Sequence, residues 1–162
     1  MNKSENRRGD GFITAVAVGG FLIVVGLVFA LNPDLWQRIV NFFNDITTAR
    51  FPFGGATSNI ALPAPENPVA HIALYNAVFQ FDMGFGVVQL LVLALRVWTR
   101  YRINRVAESL GDVIFWLGAG LLVNIFLLKG TQAGWFEYWA ALIIVIGISF
   151  IGRGLVYFVK RK

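Results

Sequence analysis

The stretch from His71 to Trp98, HIALYNAVFQFDMGFGVVQLLVLALRVW, decides how the chain is read. It is apolar over more than the ~20 helical residues that cross a hydrocarbon layer. Yet Asp82 lies near its middle. A carboxyl at the centre of a spanning helix costs ~2.5–3.5 kcal/mol on insertion scales, so it faces protein or water rather than lipid. Helical periodicity puts Tyr75, Asp82, Gln89 and Arg96 on one side, because each is seven residues from the next. His71 extends this line at one end and Arg100 at the other. Asn76 and Gln80 fall on the opposite side. A helix polar on two sides is expected at the centre of a bundle.

Three more apolar blocks accompany it. The spans predicted are 12–31, 70–98, 111–129 and 135–159. The chain is 57% hydrophobic and 14% charged, well below the ~25% charge of an average soluble domain. The expected fold class is an all-α integral membrane protein, a four-transmembrane-helix bundle in a single domain, 1–162. Four spans leave little chain for anything else.

Charge placement orients the bundle. Lys3, Arg7 and Arg8 precede span one, Arg96, Arg100, Arg102 and Arg105 join spans two and three, and Arg153, Lys160, Arg161 and Lys162 end span four. Arg38, Arg50 and Lys129 lie on the other side. The positive-inside rule then predicts both termini in the cytoplasm and accounts for the net charge of +5 without nucleic acid. The expected setting is the plasma membrane of a prokaryote. Val28-Phe-Ala30 resembles a cleavage site, but the run before it exceeds the ~7–15 residues of a signal h-region, so an uncleaved first helix is expected.

Asn32-Pro33-Asp34 reads as a helix start, with Asn as N-cap and Pro at the first position. Leu35, Trp36, Ile39, Val40, Phe43 and Ile46 follow on one side, predicting an amphipathic helix on the outer surface. Residues 47–69 hold Pro52, Pro63, Pro65 and Pro68 with Gly54-Gly55 and are expected to be irregular. The whole outer segment is 33–69. Residues 99–110 read as an inner loop, with Ser109 and Asp112 starting span three. Its arginines, Arg96, Arg100, Arg102 and Arg105, suit anionic lipid headgroups. Gly130–Gly134 is a tight outer turn. Trp36, Trp135 and Trp139 mark one interface; Trp98, Tyr101, Trp116 and Tyr157 mark the other.

Ala15, Gly19, Gly26 and Ala30 share a face of span one, and Ala140, Gly147 and Gly154 recur every seventh residue in span four. Small residues let helices approach closely in lipid, within the bundle or between copies.

Depth gives Asp82 a predicted partner. It lies about 21 Å along the helix from Arg96, and Asn124 about 18 Å from Asp112. A hydrogen bond between Asp82 and Asn124 is expected. The ion or proton pathway candidates are Asp82, Gln89, Tyr75, Asn124 and His71. The competing reading is that these polar residues are interhelical glue.

Much chemistry is excluded. With no Cys there are no disulfides or thiolate sites. One His, His71, cannot build a three-His metal site or supply the axial ligands of a haem within one chain. No cofactor or metal is expected. Nucleophile-elbow, phosphate-loop and zincin motifs are absent from the sequence, so a non-enzyme is expected. The leading functional expectation is a self-assembling or accessory, non-catalytic subunit of a membrane complex, with the bilayer and other membrane subunits or its own copies as partners. The alternative is a small ion or proton channel, or an ion-coupled transporter, using the Asp82 stripe.

Overall fold

Backbone in hydrocarbon has no water to bond, and a helix satisfies its own polar groups within one segment. The computed structural model, which describes residues 3–53, 56–99 and 103–159, follows that constraint. Its helices are α1 (Lys3–Leu31), α2 (Leu35–Asn44), α3 (Ile72–Trp98), α4 (Ile103–Ile125) and α5 (Gln132–Val159). Strands β1 (Ile46–Phe53) and β2 (Ala56–Pro65) lie between α2 and α3. Among the described residues, four segments are long and apolar enough to cross a membrane: Gly11–Leu31, Pro68–Trp98, Ile103–Lys129 and Gln132–Phe158. The protein is thus a helical bundle suited to a membrane.

The helices form a row. α3 packs on α1 along one side and α4 along the other, and α4 carries α5. Glycines set the close contacts. A Cβ built on Gly20 of α1 would lie 2.6 Å from Val88, and one on Gly84 of α3 would lie 3.1 Å from Val24. Gly86 of α3 presses on Leu117, and Gly118 of α4 faces Val145 of α5 at 2.7 Å. The predicted small-residue faces are not these. Gly19, Gly26, Gly147 and Gly154 have open space where a side chain would be. The row brings other glycines to its seams and leaves those faces outward. Large apolar side chains surround them; Ile143 of α5 is 70% exposed.

Three expectations about the connections are corrected. Asn32 does not cap α2. It is buried at the end of α1, where its Nδ2 donates to Val28 O and to Gln80 Oε1, each at 2.9 Å. A buried amide needs partners, and Gln80 supplies one, which explains the polar second side of α3. The cap position of α2 falls to Asp34, without a side-chain hydrogen bond.

Residues 47–69 are not irregular. β1 and β2 pair antiparallel, Thr47 with Ala64 and Ala49 with Leu62, with an irregularity between Arg50 and Pro52. Prolines hid the strands. In a two-stranded sheet each strand is an edge, and proline fits an edge where no N–H is needed. Pro63 and Pro65 lie two apart, so their backbones point the same way, away from β1. Their carbonyls accept from Trp135 Nε1 at 3.1 Å and Gln132 Nε2 at 3.4 Å. Ala49 and Ala64 bury against Phe136. The hairpin is thereby fixed on the start of α5.

The loop expected over 99–110 is shorter, because α4 begins at Ile103. Ser109 does not start a helix; it is fully buried inside α4, and its Oγ accepts from Arg96 Nη1 at 2.6 Å. Arg105 and Glu108 pair at 3.1 Å one turn apart, which supports helix in this polar stretch. At the other end of α4, Gly130 takes φ 64° after the short 3-10 turn Leu127–Lys129. That left-handed step suits glycine. Thr131 Oγ1 then accepts from Gly134 N at 3.0 Å and opens α5.

The seams and the free faces respond differently to bulk. Gly20→Leu is expected to overpack α1 against Val88 and to cost about 1–3 kcal/mol. Gly19→Leu is expected to leave the monomer's melting temperature unchanged. Thermal unfolding in detergent, followed by tryptophan fluorescence, compares the two.

Candidate functional site: a polar column under the hairpin

Asp82 is buried, 5% exposed, at the seam of α3 with α4. The geometry follows from Gly120. A Cβ there would lie 3.1 Å from Asp82 Cβ and would collide with the Met83 methyl. The absent side chain lets α3 approach closely enough to turn its carboxyl inward. Tyr138, buried on α5, lies within electrostatic reach of Asp82. Asp82 makes no hydrogen bond or ion pair among the described residues.

Seven residues closer to the hairpin, Tyr75 is 3% exposed. It shares an apolar cluster with Val123, Leu127 and Tyr138. Its hydroxyl is buried without a hydrogen-bond partner among the described residues, an exception to the rule that buried polar atoms are paired. His71 stands one turn above, its ring centroid 6.4 Å from that of Tyr75. Phe42 of α2 meets both rings edge-on, at 5.2 Å and 6.3 Å.

The column reaches the surface at Asp45, just past α2. His71 Nε2 donates to Asp45 Oδ2 at 2.7 Å. The same oxygen accepts from Asn67 N at 3.0 Å, and Asp45 O accepts from Glu66 N at 2.9 Å. One residue thus ties the end of α2 to the chain entering α3. The Asn67 N–H and the His71 ring both favour the carboxylate, holding Asp45 below its ordinary value of 3.8. Asp45 is partly open, its side chain 24% exposed.

The sequence-predicted residues divide. Asp82, Tyr75 and His71 line up as the periodicity required. Gln89 is half-buried and makes no hydrogen bond among the described residues. Asn124 is exposed and does not meet Asp82. The physical reason is the rotation of α4, which presents Gly120, Val123 and Leu127 to the interior. Asn124, 100° round the helix from the fully buried Val123, falls at the outer edge of that face and is left exposed.

The predicted basic cluster also divides. Arg96 braces α4 through Arg105 O at 2.7 Å and Ser109 Oγ. Arg105 is half-exposed beside Glu108. Arg100 and Arg102 lie outside the described residues. Sequence reasoning missed a pair that joins α4 to α5, Arg153 with Asp112 at 2.8 Å. Opposite charges at the same ends of neighbouring spans were the available signal. Asp45 and Tyr138 were missed too. Asp45 is 26 positions from His71, and nothing local to either residue links them.

Chemically, the column offers a carboxylate, an imidazole, two phenols and a second carboxyl, all able to hold or pass a proton. Its donors do not form an unbroken hydrogen-bonded chain. Beyond Asp82, Gly86 packed on Leu117 closes the seam. No three His, Cys, Asp or Glu side chains gather as a metal cluster among the described residues.

The Asp45 clamp has a defined pH dependence. A carboxyl lowered on folding contributes its full stabilisation above 3.8 and loses it as pH falls through the depressed value. Amide exchange at Glu66 and Asn67 is expected to accelerate in that acid window. In Asp45→Asn it is expected to be fast already at neutral pH, with no acid step. Hydrogen-exchange mass spectrometry reads both. No family model, no curated protein and no solved structure matches the chain.

Proposed function

We propose that the protein is a non-catalytic membrane subunit that assembles with further transmembrane helices, its own copies or those of a larger complex. The observation that carries this reading is the pair of unfilled glycine faces, Gly19 with Gly26 on α1 and Gly147 with Gly154 on α5. Lipid tails are as apolar as leucine, so helices in a bilayer associate by close packing, and small residues permit it. The seams within the chain already use glycine in that way. The two free faces lie on the outermost helices of the row, where an incoming helix would meet them. In this reading both termini are cytoplasmic, the hairpin is outside and α2 lies at the outer interface of a prokaryotic plasma membrane. The arginines near the α3–α4 turn lie on the cytoplasmic side, beside anionic headgroups.

The cysteine-free chain makes the test simple. Gly19→Cys and Gly147→Cys, oxidised in native membranes, are expected to trap a second chain or a partner. Gly147→Ile with Gly154→Ile is expected to abolish co-purification in mild detergent while the monomer still folds. A monomer without partners in every variant would reject the proposal.

A second reading rests on a separate observation. Asp82 is buried without a partner and Tyr75 has an orphan hydroxyl, which is more than interhelical glue requires. Proton access from the hairpin side to Asp82 would use both. Opening of the Gly86–Leu117 seam beyond Asp82 would complete the path; proteoliposomes under a pH gradient are then expected to leak protons, and Asp82→Asn to stop the leak without unfolding the chain. An equal flux in that variant removes Asp82 from any pathway.

A further inference from the structure

Between α1, α2 and α3 lies a groove of about 460 Å³, lined entirely by apolar side chains. Phe21, Val25 and Phe29 form one wall, Val78 of α3 another, and Ile39 and Phe42 of α2 the roof. Both walls belong to segments suited to the membrane, so the mouth of the groove opens into hydrocarbon. Water is a poor occupant, because an ordered water needs two to four polar partners and the lining supplies essentially none.

Size separates the remaining occupants. One turn of helix, 10–12 Å wide and 5.4 Å tall, fills roughly 400–600 Å³. The groove would hold a single turn of a partner helix, too little to seat one. A methylene takes up close to the ~30 Å³ of a water molecule, so the same space suits on the order of fifteen methylenes. That is the length of a common fatty acyl chain. Charge sets the other end. Arg38 is not part of the lining, but it lies one helical turn before Phe42, which is. It makes no ion pair among the described residues.

We propose that this groove is a lipid site, holding one acyl chain of an anionic phospholipid beneath α2 with its phosphate at Arg38. The lipid fills space that α2 roofs and protein does not. It differs from lipid around the bundle in being enclosed on three sides. The site is separate from the glycine faces, and it adjoins the Asp82 column through Phe42 and Val78.

The test uses the full chain in phosphatidylcholine vesicles containing phosphatidylglycerol spin-labelled near the end of one acyl chain. Electron spin resonance is expected to show an immobilised fraction of about one lipid per protein. Val78→Trp, which fills the groove, is expected to lose most of it. Val25→Cys gives a variant that folds before the groove is blocked. Coupling a hexadecyl thiol reagent to it afterwards is expected to displace the labelled lipid. Arg38→Gln is expected to remove the preference for phosphatidylglycerol over labelled phosphatidylcholine. An immobilised fraction unchanged by both blocked variants would overturn the site. So would oxidative cross-linking of Val25→Cys to a second protein chain. An unchanged preference in Arg38→Gln would overturn the headgroup assignment.

Discussion

Gly86 and Gly120 let α3 and α4 lie so close that a methyl group on either would strike the other helix. Most of the interior depends on that approach. It turns Asp82 away from lipid, which a carboxyl in a spanning helix requires. It also sets the rotation of α4, and so which residues line the interior around Tyr75. Once α3 is fixed on α4, its opposite side is free to receive α1 through Gly20, Val24 and Val88. The part-buried Asn32–Gln80 bond then fixes the level of α1 against α3. Without a hydrophobic force between helices, such close backbone packing and a few buried hydrogen bonds hold the row together.

The end of the bundle under the hairpin is organised differently. There polar groups do the joining. Asp45 gathers a ring nitrogen and a backbone N–H at one carboxylate oxygen, and the hairpin reaches α5 through two side-chain donors. Phe42 links the two regimes. It roofs the apolar groove on one side and touches His71, Tyr75 and Trp135 on the other. The Asp45 clamp therefore positions both the polar column and the groove from one point.

The spans were legible because composition and length suffice for a membrane helix. The line His71, Tyr75, Asp82 was legible because spacings of four and seven residues stay on one side of a helix whatever it packs against. Partners across helices were not. Depth along two helices put Asp82 and Asn124 at similar heights, but height leaves the rotation of α4 free, and glycine contacts decide that rotation. Asn32 shows the same limit: locally it resembles a cap, while its true partner, Gln80, is 48 positions away. The strands escaped notice because their prolines break the pattern of a central strand, and only the docked position on α5 makes those prolines suitable.

That docked edge has a chemical polarity. At Pro63 and Pro65 the backbone of β2 presents oxygen and no N–H to whatever lies beside it. A neighbouring strand offers donors and acceptors alternately and needs both returned. It would find half of its requirement missing here. Side chains that only donate, such as the indole of Trp135, lose nothing. The hairpin can therefore be held by the helix beneath it, yet its β2 edge cannot seed a growing sheet with copies of itself.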